Sequence, residues 1–151
     1  MRIRVTRLPH AADLPLPAYA STGAAGADVC AALEGELILR PSARAAVPTG
    51  LCVEIPAGYE MQVRPRSGLA LREGIGLLNS PGTIDSDYRG EIKIILVNHG
   101  SEDVVVRRGD RIAQLVLAPV VAGDFEDAAE LAPSERGDSG FGSTGVRGKQ
   151  H

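Results

Sequence analysis

The chain has 151 residues, 44% hydrophobic and 23% charged, enough for one ordinary globular domain with a real core. A net charge of -3 and a pI near 5.6 exclude a global basic field for nucleic acid, although a few converging arginines could still hold a phosphate chain. Aromatic residues make up only 3%, with no Trp, so Val, Ile, Leu and Ala must fill the core, a palette that suits strands better than a helical bundle.

Arg2-Ile3-Arg4-Val5 alternates strictly and predicts a strand with one solvated face. This N-terminus lacks the apolar stretch of a signal peptide, and no segment is long enough to span a bilayer, so no membrane partner is expected. Cys30 and Cys52 sit in apolar strand-like runs and read as two buried free thiols, which fits a reducing cytoplasm. Short apolar runs follow at Glu36–Leu39, Ala45–Val47, Leu51–Ile55 and Tyr59–Val63, each bounded by a turn signal such as Pro48-Thr49-Gly50. Ser67 to Leu71 is the best helical turn, with Ser67 as a possible cap. Strand runs resume at Glu91–Val97, Asp103–Val106 and Ile112–Leu117, with Arg108-Gly109-Asp110 as a turn. Asp124 to Leu131 is a weaker, acidic helical candidate. Many short strands at this spacing predict an all-β, jelly-roll-like sandwich or distorted barrel over residues 1–132. From 133 to 151 the chain turns glycine-rich and polar, which predicts a flexible tail that cannot offset its own ordering entropy.

Glycine-rich turns with small hydroxyls or arginines recur at Gly23–Asp28, Pro65–Ala70 and Arg136–Gly145, where backbone amides can approach an anion. Taken singly, each reads better as a plain tight turn. The tail is no Walker loop, lacking Gly-Lys-Ser/Thr. Gly82-Thr83-Ile84-Asp85-Ser86-Asp87-Tyr88-Arg89-Gly90 reads as a hairpin between Leu77-Leu78 and Ile92-Lys93-Ile94. Its acids could cap turn amides, or one could deprotonate a water beside a tyrosine that faces a sugar. Asn79 could pair with a base edge, since its amide both donates and accepts. His10, His99 and His151 are scattered, so no protein-built zinc site is expected, and a metal, if used, arrives with the substrate.

Five segments in order resemble the five motifs of the trimeric dUTPase family. They are Ala25-Gly26-Ala27-Asp28-Val29, Pro65-Arg66-Ser67-Gly68-Leu69-Ala70, Gly76 to Gly90, Arg111-Ile112-Ala113-Gln114-Leu115, and Arg136 to Gly145. The resemblance implies a homotrimer of jelly-roll subunits with interfacial active sites, hydrolysing dUTP to dUMP and pyrophosphate with Mg2+ on the triphosphate. It implies that Asp85 activates the attacking water. Asn79 and the backbone of Thr83 and Ile84 read uracil, and Tyr88 packs under the deoxyribose. Arg66, Ser67, Gly68 and Gln114 contact the phosphates, and Asp28 holds the metal through its waters. The tail becomes a lid, with Phe141 and Gly142 over the base and Arg136, Ser143 and Thr144 near the γ-phosphate. Asp87 and Glu91 are left structural, a turn acid and a strand-edge charge.

Val29-Cys30 and Ser139 depart from the commoner pattern, which bears on local packing and on the lid. A related dCTP deaminase would need a Glu beside the pyrimidine C4, and no matching context is present. A non-enzymatic jelly-roll module would have no need of Asp85, Tyr88 and Phe141 together.

Overall fold

A computed structural model describes residues 1–140. The chain divides into two units, Met1–Val121 and Ala122–His151. In the second, the described residues form no helix or strand, only a turn in which the Gly137 amide donates to the Ser134 carbonyl at 3.2 Å and hydroxyl at 3.1 Å. The helix expected over Asp124 to Leu131 does not form. Glu126 and Glu130 repel at i,i+4 with no basic partner between, and so short a helix cannot repay its nucleation cost.

The first unit runs β1 (Arg4–Arg7), a 3-10 turn (Pro9–Ala11), β2 (Ala18–Tyr19), β3 (Ala27–Cys30), β4 (Leu37–Leu39), β5 (Arg44–Pro48), β6 (Leu51–Glu54), β7 (Tyr59–Arg64), α1 (Ser67–Glu73), β8 (Ile75–Leu77), β9 (Gly82–Ile84), β10 (Lys93–Asn98), β11 (Val104–Val106) and β12 (Arg111–Pro119). All pairings are antiparallel, in sheets ordered β1-β6, β5-β10-β8, β11-β4 and β2-β3-β12-β7-β9. Among the described residues no sheet closes on itself, so the fold is the jelly-roll-like sandwich and not a closed barrel. Among the described residues no helix is long and apolar enough to cross a membrane.

Alternation sets the two faces. Met61 and Val63 of β7 point into the core with Val29, Leu39, Val47, Ile94, Leu96 and Leu115, while Gln62 and Arg64 point out. β1 forms two residues later than the alternation predicts, because its register is fixed by Val5 opposite Val53 and Arg4 opposite Glu54.

Two expectations are corrected. Ser67 is the first residue of α1; Arg66, in extended conformation, is the cap position, with no side-chain cap bond. The helix stops at Gly74 (φ 67°), where a Cβ would lie 2.6 Å from the Gly100 amide nitrogen. The Gly82–Gly90 run is likewise not a hairpin between Leu77 and Ile92. β8 pairs directly with β10, Leu77 opposite Leu96, while β9 crosses to the other sheet and pairs with β7, Gly82 opposite Val63.

Candidate active site

The expected residues of the first unit gather in two places. The first is built on Asp28 of β3, opposite Gln114 of β12, which is in turn opposite Arg64 of β7. Asp28 is only 8% exposed, yet its carboxylate accepts from Arg66 Nε (3.1 Å), Arg66 Nη2 (3.4 Å), Arg111 Nη1 (2.9 Å) and Gln114 Nε2 (3.1 Å). Charge-assisted bonds of this kind hold donors in fixed directions. Arg66 also donates to the Arg111 carbonyl at 3.0 Å. Gly26 makes room for the amide, since a Cβ there would meet Gln114 Cβ at 3.0 Å. Ser67 and Gly68 begin the helix beside Arg66.

Arg111 was not among the expected contact residues. Strict strand alternation puts positions 111 and 114 on opposite faces. A register shift between Arg111 and Ala113 adds one residue to β12, buries Ile112 and Ala113 in succession, and brings both polar side chains to Asp28. The arrangement combines two guanidiniums, an amide and one buried carboxylate, which suits an anionic ligand.

The second place is a cleft of about 530 Å³ lined by Asn79, Thr83, Ile84, Asp85, Tyr88 and Glu91, floored by apolar side chains that include Val63 and Ile95. Asn79 and Asp85 are exposed and Ile84 is buried. Gly82 lets the Asn79 amide lie against the strand, with a Cβ position 3.2 Å from Asn79 Nδ2. The Tyr88 amide donates to the Asp85 carbonyl at 3.2 Å, closing a turn, and Arg89 Nη1 secures it through the Ser86 and Tyr88 carbonyls at 2.7 and 2.9 Å. Asp87 stays exposed in that turn.

Glu91, expected as a structural strand-edge charge, is mostly buried. Its side chain is 16% exposed and Oε1 accepts from the Gly50 amide at 2.8 Å and from His10 Nε2 at 3.1 Å. Its position next to an apolar strand hid this, because His10 and Gly50 are distant in sequence.

Arg136 belongs to the second unit, where its Nε donates to the Ser139 carbonyl at 2.8 Å. Phe141, Gly142, Ser143 and Thr144 lie outside the described residues. As to a metal, the described residues contain no group of three His, Cys, Asp or Glu side chains able to hold one. Both Asp28 oxygens are already engaged by side-chain donors, so in this arrangement Asp28 does not fit an inner-sphere metal ligand.

The fold is a jelly roll with an arginine cluster on Asp28 and a cleft beside Asp85. A family model described as dUTPase matches residues 12–145, and the chain belongs to the dUTPase family. It is 56% identical over 146 residues to a Zymomonas mobilis protein named deoxyuridine 5'-triphosphate nucleotidohydrolase, covering 97% of this chain and 99% of that one. A Beijerinckia indica protein of the same name is 57% identical over 146 residues, covering 95% and 91%. Among solved structures, the Staphylococcus bacteriophage 80alpha dUTPase with dUPNHPP superposes with a TM-score of 0.82 at 26% identity, covering 96% and 99%.

Proposed function

We propose that the protein hydrolyses dUTP to dUMP and pyrophosphate, with Asp85 activating the attacking water. The observation that carries this reading is the single cleft that joins Asp85 and Tyr88 to Asn79 and Thr83. The Asp85 carboxylate can take a proton from water, while the Asn79 amide on the same cleft can pair with a base edge. Tyr88 presents a ring as a wall for the sugar, and its contact would exclude a 2'-hydroxyl. Arg66, Arg111 and Gln114, with Ser67 and Gly68 beside them, supply donors aligned on the phosphate chain, the main requirement of phosphoryl-transfer catalysis. Mg2+ bound to the triphosphate would neutralise charge there, with Asp28 facing its water shell. The tail from 133 to 151 would close as a lid and exclude water.

Strand register supports interfacial sites in a homotrimer. Along the five-stranded sheet, Asp28 lies in the row of Arg64, whereas Asp85 follows Ile84, which is opposite Met61. Three strand spacings across and four residues along put the two acids roughly 20 Å apart in one chain. Phosphate donors must lie within a few ångströms of the phosphorus that the activated water attacks. The two halves of a working site therefore come from different copies.

The test is hydrolysis of dUTP, dCTP and UTP with Mg2+. Pyrophosphate should form only from dUTP, and Asp85→Asn should abolish turnover while nucleotide affinity stays within about tenfold. Ammonia from dCTP, or a fully active Asp85→Asn variant, would refute the reading.

A further inference from the structure

We infer that Glu91 is a specificity-determining positioning residue, its carboxylate bracing the residue whose carbonyl holds Tyr88 and so helping to set the sugar wall of the cleft. The inference rests on Tyr88 being that wall. Tyr88 is 45% exposed, so packing alone does not fix its ring. One hydrogen bond does: its hydroxyl donates to the Glu91 carbonyl at 3.1 Å. The ring folds over Gly90, where a Cβ would come within 2.3 Å of the phenol oxygen. The direction of the residue 91 carbonyl therefore decides where the ring stands.

Two holds set that direction: the Ile92 amide of the same peptide donates to the Leu51 carbonyl at 2.8 Å, and the Glu91 side chain ties the residue to the Gly50 turn. Oε1 accepts from the Gly50 amide and from His10 Nε2; a carboxylate only accepts, so Nε2 carries the proton. Oε2 faces Lys93 Nζ at 4.0 Å. The anchor points are themselves rigid. Gly50 has φ +65° and is wedged so that a Cβ would lie 2.1 Å from Ala11 Cβ, and its carbonyl accepts from the Leu8 amide at 2.7 Å. Next to it, the buried Thr49 hydroxyl donates to the Ile92 carbonyl at 2.7 Å. His10 is held from behind by Arg108, whose Nη2 donates to its carbonyl at 2.7 Å and which also binds Asp13 and the Leu33 carbonyl. A chain of short contacts thus runs from the N-terminal 3-10 turn through Glu91 to the ring. A partly buried acid with a cationic or neutral donor on each side is a stiff anchor, since bonds to an ionised acceptor are the stronger ones.

A merely structural staple between the Gly50 turn and β10 would affect stability but not nucleotide choice. The experiment measures kcat/KM for dUTP and UTP in the parent and in Glu91→Ala, Glu91→Gln, Tyr88→Phe and Tyr88→Phe/Glu91→Ala. Glu91→Ala, by freeing the acceptor carbonyl to swing away from the Tyr88 hydroxyl, should raise the UTP:dUTP ratio by up to about tenfold, the worth of that one hydrogen bond. Glu91→Gln, which keeps an acceptor and the side-chain volume, should fall between it and the parent, and serves alone if the alanine variant does not fold. Because Tyr88→Phe removes the bond through which Glu91 acts on the ring, the double variant should be no less selective than the worse single one. Unchanged selectivity in the Glu91 variants, or additive effects in the double, overturns the inference while leaving dUTP hydrolysis standing. A parent that turns over neither nucleotide overturns the dUTP reading and this inference with it.

Discussion

Replacing Asp28 with Asn tests whether the arginine cluster is organised by that carboxylate. The substitution is isosteric but removes the charge and replaces one acceptor oxygen with an NH2 that points at donors. Four contacts from Arg66, Arg111 and Gln114 converge on the carboxylate, and the residue is 8% exposed. Breaking a buried ion pair by removing one partner costs about 3–5 kcal/mol. Here the Arg66 side chain is 25% exposed and that of Arg111 56%, so water screens part of the loss. We place it at about 2–3 kcal/mol, which for a domain of this size lowers Tm by roughly 5–10 °C. The donors also lose their common template, so KM for dUTP should rise about tenfold. Thermal melts and steady-state kinetics read the two effects. A Tm within about 2 °C of the parent would refute the organising role. Saturating Mg2+ should not restore KM; if it did, Asp28 would be a metal holder first and an arginine organiser second.

Three further outcomes follow from other sites. Asn98 is 0% exposed, and its side chain donates to the Leu39 and Glu102 carbonyls and accepts from the Gly100 amide, each at 2.8 Å, so Asn98→Leu should cost about 3–4 kcal/mol in urea unfolding; a loss under about 1 kcal/mol would show that these loops repack. The Arg108 hydrogen bond, then a backbone bond, hold the Asp13 carboxyl below its ordinary value of 3.8. Because the folded value is the depressed one, this stabilisation is present above 3.8 and is lost as pH falls through the folded value; the parent and Asp13→Asn should differ at neutral pH and converge in acid, and a gap that stays constant with pH would contradict the pairing. Cys30 and Cys52 are half-buried and not fully buried, and burial is the main cause that pushes the Cys30 thiol above its ordinary 9.0, so alkylation followed by mass spectrometry should be slow at neutral pH and speed up in alkali; rapid neutral labelling would contradict the raised value.

Most strands were legible because each shows one apolar and one polar face. β7 reads as alternation in Tyr59–Arg64, and the structure places Met61 and Val63 inside as that pattern requires. The Gly82–Gly90 segment was misread for a physical reason. Local reasoning pairs neighbouring runs, yet β9 has a short three-residue edge whose partner, β7, lies across an intervening helix and strand. Only the register of a non-local sheet could reveal that crossing. Arg111 was missed for a related reason, since the extra residue in β12 leaves no mark on an alternation read residue by residue.

The same comparison sharpens what the cluster at Asp28 does. Read from sequence, that acid stood for metal holding; in the fold it is the common acceptor of Arg66, Arg111 and Gln114. Two guanidiniums against one carboxylate leave a single net positive charge to meet a triphosphate. That is too little for a group with several negative charges, so on the proposed reading further cations must arrive with the substrate or from another part of the assembly. Mg2+ on the phosphates and Arg136 of the tail are the cations that reading assigns. Asp28 then has a second effect: by fixing the arginines in one orientation before the ligand arrives, it reduces the ordering that binding must do, at the expense of one unit of attraction. The cluster is built for alignment more than for raw affinity, which is the balance an enzyme needs if its binding energy is to favour the transition state over the bound substrate.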